Sequence, residues 1–166
     1  MGVRRDLGIE FVFPEPSVSR LVLSDALEGL PEAVPSLEKG KHNGEVLMNA
    51  HEYLVGGFSS MFMSRNRVRA WDEPSFTIQA GGRHAPLHPQ APRMIKNGAD
   101  SFEFVPGHED EYRRLSVREC ARIQSFPDGF EFAYENVNQG YKMVGNAVPV
   151  ELAKAVASAI KQQLSL

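Results

Sequence analysis

Cysteine is nearly missing from this chain: Cys120 is the only one in 166 residues. That excludes an internal disulfide and the thiolate cluster of a structural zinc site. The five histidines, at 42, 51, 84, 88 and 108, are scattered over loop-like sequence. His84 and His88 are spaced closely enough to share a metal, but no thiolate joins them and no metal is expected. Glycine-rich nucleotide signatures are also missing, with no G-x-G-x-x-G after a strand-like run and no P-loop. No apolar run approaches the roughly 20 residues that cross a bilayer. No apolar signal-type segment follows Met1-Gly2-Val3-Arg4-Arg5-Asp6, so a soluble intracellular protein is expected. Neither sign of charge dominates, with 18 Lys and Arg against 21 Asp and Glu. Global charge therefore makes no case for nucleic acid.

What is present is an ordinary folded composition, 42% hydrophobic and 23% charged, with an uneven distribution of charge. Between Met61 and Lys96 the basic residues Arg65, Arg67, Arg69, Arg83, Arg93 and Lys96 face only Asp72 and Glu73. Between Asn97 and Gln139 the balance reverses, with nine carboxylates against four arginines. A basic patch on an acidic body is compatible with a phosphate-binding surface, and equally with ordinary surface variation. In an extended segment, Arg65, Arg67 and Arg69 share one face. Guanidinium forks at that spacing suit phosphates or the O6 and N7 acceptors of guanine. The same pattern also suits a solvated strand edge guarded against aggregation. Arg83 follows Gly81-Gly82, which allow close approach to a ligand.

Along the chain, Val3 to Arg5 and Ile9 to Phe13 read as short strands around a turn at Asp6-Leu7-Gly8, ended by Pro14 and Pro16. So abrupt a beginning is what a strand cut from a larger sheet would look like. Ser24 to Leu30 reads as a helical turn closed by Gly29 and Pro31. The chain is then loop-like to Gly57. Phe58 to Met63 is a compact apolar run, Phe76 to Gln79 reads as a strand, and Gly81-Gly82 with the prolines at 86, 89 and 92 force turns. Ser116-Val117-Arg118-Glu119 is a capping box opening a helix that carries Val117, Cys120, Ala121 and Gln124 on one side. Pro127-Asp128-Gly129 stops it. Phe126, Phe130, Phe132 and Tyr134 supply a local aromatic core. A final helix opens at Pro149 and carries the apolar stripe Leu152, Ala153, Val156, Ala159, Ile160 and Leu164. With only one other full helix read from the sequence, that stripe is expected to pack on a surface outside the chain. Cys120, inside a helix among apolar neighbours, reads as a small buried hydrophobe rather than a nucleophile. Gly145-Asn146-Ala147-Val148-Pro149 is a tight bend that delivers Asn146 either to a ligand or to a helix cap.

The stretch Tyr112-Arg113-Arg114-Leu115-Ser116-Val117-Arg118-Glu119-Cys120-Ala121-Arg122-Ile123-Gln124-Ser125-Phe126-Pro127-Asp128 closely resembles the ninth conserved motif of the bacterial DNA cytosine-5 methyltransferases. Gly140-Tyr141-Lys142-Met143-Val144-Gly145-Asn146-Ala147-Val148-Pro149 resembles the tenth, in the family's order and spacing. Val3-Arg4-Arg5-Asp6-Leu7 looks like the strand after the eighth. The intervening segment is similar to the target-recognition domain of GGCC-modifying Haemophilus members. The matching parts are Asn49 to Tyr53, Phe62 to Arg69, Glu73-Pro74 through Gln79-Ala80, and His88 to Pro92.

This resemblance implies an α/β (α+β) arrangement, the C-terminal part of a family member. Residues 1–15 would close a catalytic-domain sheet, and 16–135 would form an irregular, loop-rich target-recognition domain including the ninth motif. Residues 136–166 would return as a helix to a Rossmann-like domain. Arg65, Arg67 and Arg83 fall on the arginines that read guanines in double-stranded DNA, with GGCC as target. Met61 falls where an apolar side chain wedges into the base stack. Asn146, Ala147 and Val148 fall where the tenth motif lines the pocket of S-adenosylmethionine, the methyl donor. The donor-binding loop and the nucleophile are expected upstream of Val3, so no catalytic residue is assigned. A missing catalytic domain or subunit is expected as partner, and the chain alone is expected not to methylate. The other readings open at this point are a stand-alone DNA-binding module and a non-functional remnant. A bacterial cytoplasmic setting is implied.

Overall fold

The computed structural model describes residues 3–16 and 20–164; Met1, Gly2 and the last two residues of the expected C-terminal segment lie outside it. The expected opening strands do not form. Arg5–Leu7 is a single 3₁₀ turn closed by Gly8 in the left-handed region at φ 61°. Ile9 to Phe13 has strand-like residues but pairs with no strand among the described residues. Instead Val12 exchanges both backbone groups with one side chain, its N–H donating to Gln163 Oε1 at 2.9 Å and its carbonyl accepting from Gln163 Nε2 at 2.7 Å. Phe76 to Gln79 is likewise irregular and pairs with no strand among the described residues.

Regular structure is sparse. The helices are α1 (Leu23–Leu27), α2 (Val117–Ile123), α3 (Val137–Asn146) and α4 (Val150–Gln163). Two small sheets accompany them. One pairs β1 (Val34–Pro35) in parallel with β2 (Glu52–Tyr53), and the other pairs β3 (Ile95–Gly98) antiparallel to β4 (Ser101–Glu103) with a register shift between Lys96 and Gly98. The expected α/β sheet is therefore not built among the described residues; helices and loops packed on them carry the fold.

The capping box opens α2 as its residues require. Ser116 Oγ accepts from the Glu119 amide at 3.0 Å, and Glu119 Oε2 accepts from the Ser116 amide at 2.7 Å. Glu119 is buried and takes two further bonds from Arg113, at 2.9 and 2.8 Å. Burial pushes its pKa up, but Arg113, His88 and the Ser116 amide outweigh that and hold the carboxyl below its usual range. Leu115, Val117, Cys120 and Ala121 then pack with α1, Ala50, Leu54, Phe132 and the buried face of α3 in the main core.

The helix α3 is a finding. Asn136 Oδ1 accepts from the Asn138 amide at 3.0 Å, and Gln139 completes a second capping box. Val137, Gly140, Tyr141 and Val144 form its buried face. That face belongs to the main core, with residues from α1 and α2. Helix and loops approach unusually closely. A Cβ on Gly140 would lie 2.7 Å from the Tyr134 ring, and one on Gly82 would lie 2.7 Å from the Tyr141 ring. A Cβ on Gly145 would collide with the backbone of Gln79 and Ala80.

A second core gathers Phe62, Val68, Leu87, Ala91, Met94 and Tyr112, with Phe58, Phe102 and Phe104 against it. Segment 86–88 bridges it to α2: Leu87 N–H donates to Arg67 O at 3.1 Å, and Leu115 N–H donates to Pro86 O at 2.8 Å. The last helix is anchored at its ends, with Val150 N–H donating to Gln124 O at 3.1 Å and Gln163 holding Val12. Of its expected stripe only Ala159 is buried, and Leu152 is 54% exposed. Taken as one stretch, Val137–Gln163 contains an 18-residue window of mean hydropathy 1.2, apolar enough in composition to cross a bilayer. The chain leaves the helix at Ala147–Pro149, however, and α4 alone, at about 1.5 Å per residue, is shorter than a bilayer core.

Two outcomes follow from this packing. Gly145→Ala must lift α3 off the Gln79–Ala80 backbone, and urea unfolding should show a loss of about 1–3 kcal/mol. His88 is buried with its pKa lowered to about 4, chiefly by desolvation, whereas an unfolded histidine protonates near 6.5. Its contribution is thus complete above about pH 6.5 and is lost as pH falls toward 4. Unfolding free energy should drop across that window by up to roughly 3 kcal/mol. His88→Gln should flatten the slope; an unaltered profile would show that other groups set it.

Candidate nucleic-acid interface

The Arg65–Arg69 run does not present one row of guanidiniums. A 3₁₀ turn at Phe62–Ser64 precedes it, and Arg65 is extended at φ −155° and ψ 160°. Arg67 folds back: Nε donates to Phe62 O at 2.7 Å, Nη2 donates to Met61 O at 3.1 Å, and the guanidinium lies 4.7 Å from the Phe62 ring centroid. Burial, then the neighbouring Arg65 charge, lower its pKa, yet it remains cationic. Arg69 is diverted altogether. It bonds Glu73 at 3.2 Å and stacks 4.2 Å over Phe76, while Arg93 holds the other Glu73 oxygen at 2.7 Å. The period-two reading fails because one arginine is neutralised locally and another is spent partly on its own turn.

Arg65 and Arg67 line one cleft, with Phe76, Thr77, Gln79, His84 and Pro86. Arg65 is exposed and its guanidinium has no hydrogen-bond or ion-pair partner among the described residues. Arg83 is exposed but lines a neighbouring cleft, with Lys39, Leu54, Gly56, Gly57, Ser59 and Asn138. The short turn Gly82–His84 thus serves two concavities, offering Arg83 to one and His84 to the other. Met61, at the start of the Phe62–Ser64 turn, is 71% exposed, unusual for so large an apolar side chain. Thr77 and Gln79 were read only as part of a strand-like, family-matching segment and His84 only as a possible metal partner of His88, so none was expected in this cleft.

Asn146, Ala147 and Val148 form the link between α3 and α4. Asn146 and Val148 are exposed, and the Asn146 side-chain amide has no partner among the described residues. A free amide beside an exposed apolar side chain suits the polar edge and flat face of an adenosyl group, so these residues fit that ligand. Cys120 is fully buried and its thiol is pushed far up by desolvation, which removes it as a nucleophile. No group of three or more His, Cys, Asp or Glu that could hold a metal occurs among the described residues.

Comparison with known proteins decides the family. The model for "C-5 cytosine-specific DNA methylase" matches residues 2–162 without interruption. The chain belongs to that family. It is 61% identical over 165 residues to the type II methyltransferase M.MthTI of Methanothermobacter thermautotrophicus, covering 99% of this chain and 50% of the relative. It is 53% identical to M.NgoPII of Neisseria gonorrhoeae, over 99% of this chain and 49% of that protein. Against M.FnuDI of Fusobacterium nucleatum the identity is 51%, with the same two coverages. The chain spans about half the length of these curated relatives. S-adenosylmethionine is the methyl-donor cofactor of this family.

The continuous match corrects several expectations. The methylase-domain model itself runs through the chain from end to end. A recognition portion set apart from the catalytic domain, made of a target-recognition module and a returning helix, is therefore the wrong description of both family relation and fold. The expectations that rested on that division fall with it: a chain without the family's catalytic domain, inert alone and dependent on a missing catalytic partner. So do the stand-alone binding module and the remnant.

The geometry separates two kinds of arginine. Arg67→Ala strips donors from the Met61 and Phe62 carbonyls and should lower unfolding free energy by about 1–3 kcal/mol. Arg65→Ala, with no internal bonds, should stay within about 0.5 kcal/mol of the parent chain. Equal losses in thermal or urea melts would contradict this division.

Proposed function

We propose that this chain reads double-stranded DNA at GGCC for methylation of cytosine C5, in the cytoplasm and within a restriction-modification system. The observation that carries the reading is the cleft shared by Arg65 and Arg67, one guanidinium unpaired and the other braced, in a chain of the cytosine-5 methylase family. Arginine forks bond guanine O6 and N7 in the major groove, and GGCC presents guanines on both strands. Arg83, one short turn away, extends the basic surface toward a second guanine or the backbone.

Met61 is the wedge in this scheme. Reaching a base for methylation means extruding it from the stack at a cost of a few kcal/mol, and an inserted apolar side chain helps offset that. Arg67 holds the carbonyl of Met61, so the groove-reading residue and the wedge move as one unit. The link at Asn146 to Val148 contributes a free amide and an apolar side chain toward S-adenosylmethionine, which supplies the methyl group when bound. Gly145 ties that link to Gln79 in the reading cleft, which supports placing donor and base close together.

The test is equilibrium binding to a GGCC duplex and to duplexes altered at each base pair. Arg65→Ala should cost about 1–3 kcal/mol against GGCC and relax discrimination at one guanine. Loss of the same size on every duplex would make Arg65 a phosphate contact and remove it from the reading set.

A further inference from the structure

The cleft beside Arg83 has a construction that base reading does not explain. Its lining includes two cations, Lys39 and Arg83, the side chain of Asn138, and the loop Gly56-Gly57-Phe58-Ser59; no carboxylate lines it. Beneath the loop lies Arg114, 3% exposed. Its Nη1 donates to Leu54 O at 3.2 Å and Gly56 O at 3.0 Å, and its Nη2 donates to Gly57 O at 2.9 Å. The guanidinium also lies 4.1 Å from the Phe58 ring centroid.

A trans peptide unit points its C=O and its N–H in opposite directions. With the Gly56 and Gly57 carbonyls drawn down to Arg114, the Gly57 and Phe58 amides face away from it. Neither donates to any acceptor among the described residues, whereas the Val55 amide is taken by Ser36 Oγ at 3.3 Å. Consecutive free amides at a glycine-rich bend make a concavity for an anion. Gly56, at φ 142°, adopts a backbone that a side chain would disfavour.

Lys39 is held just as deliberately. It is one of three non-glycine residues with positive φ among the described residues, at 56°, and Asn136 Nδ2 donates to its carbonyl at 3.0 Å. Asn136 also caps α3, so the strained lysine, the start of that helix and Asn138 form one bonded group. Strain retained at an exposed lysine on a cleft rim points to a role for its position.

We infer that this cleft holds a phosphodiester of the DNA backbone, with Lys39 and Arg83 supplying charge and the Gly57 and Phe58 amides supplying directed donors. The inference rests on the DNA-reading function proposed above. It assigns the cleft a task distinct from base recognition: fixing the register from which Arg65 and Arg67 reach the bases.

The test measures fluorescence anisotropy of labelled GGCC and scrambled duplexes over a range of salt concentrations, using the full chain. Lys39→Gly is the informative variant, because glycine accepts positive φ without strain and so removes the cation while favouring the folded chain. Lys39→Arg keeps the charge and should restore binding. For Lys39→Gly, affinity should fall by the same factor on both duplexes, and the slope of log K against log salt should become shallower by about 0.9. An unchanged slope overturns the phosphate site, as does a loss confined to the GGCC duplex, which would make Lys39 a base contact. If the unsubstituted chain binds both duplexes equally while Lys39→Gly still shows the shallower slope, the cleft stands and the sequence-reading function falls. If the unsubstituted chain binds neither duplex, both fall.

Discussion

A loop-rich chain must bond its backbone carbonyls somewhere, and here buried guanidiniums do what a sheet would otherwise do. Arg118 has no exposed surface and donates to Asn49 O at 2.9 Å, Asn49 Oδ1 at 3.0 Å and Phe130 O at 2.7 Å. Arg114 gathers the carbonyls of Leu54, Gly56 and Gly57, and Arg113 neutralises the buried Glu119. All three arginines come from the short stretch around the start of α2. A single capped helix therefore organises loops drawn from residues 49–57 and 127–132, and the first of them lines the cleft beside Arg83. Stripping any of these donors would leave several buried acceptors unpaired at once, each at a cost of about 1–3 kcal/mol.

Rigidity follows from how closely the elements approach. Gly82, Gly140 and Gly145 each stand where a side chain would strike a neighbour, so α3 presses on the loop that carries Arg83 and on the backbone of Gln79. Donor-side and groove-side residues thus share one framework. Glu73 absorbs Arg69 and Arg93, Arg67 is braced on the carbonyls of Met61 and Phe62, and Arg65 and Arg83 have no hydrogen-bond or ion-pair partner among the described residues.

Much of this was legible in the sequence, for local reasons. Ser116 and Glu119 signal a helix start through their own side-chain chemistry, and the structure forms those two bonds. Val3 to Phe13 and Phe76 to Gln79 have strand-forming residues but no strand beside them, and propensity without a ladder does not make a strand. The α3 helix was missed although Asn136-x-x-Gln139 is a capping box and Val137, Gly140, Tyr141 and Val144 keep helical spacing. Two glycines and a bend-like ending concealed that signal. The cleft of Lys39, Gly57 and Arg83 was illegible, since it joins residues more than forty positions apart, with Asn136 holding Lys39 and the buried Arg114 holding Gly56 and Gly57. The family was legible from two long motifs; the division into recognition and catalytic parts was not, and the uninterrupted family match replaced it.

The account stands on one claim: a framework fixed by buried arginines presents an unpaired Arg65 and a braced Arg67 to DNA. The most direct measurement is a crystal structure of the chain on a GGCC duplex, superposed on the free form. Backbone shifts below about 1 Å over residues 49–84, with the Arg65 and Arg67 guanidiniums on guanine edges, are the expected result. Rearrangement of those loops, or both guanidiniums resting on phosphates with the bases untouched, would contradict it.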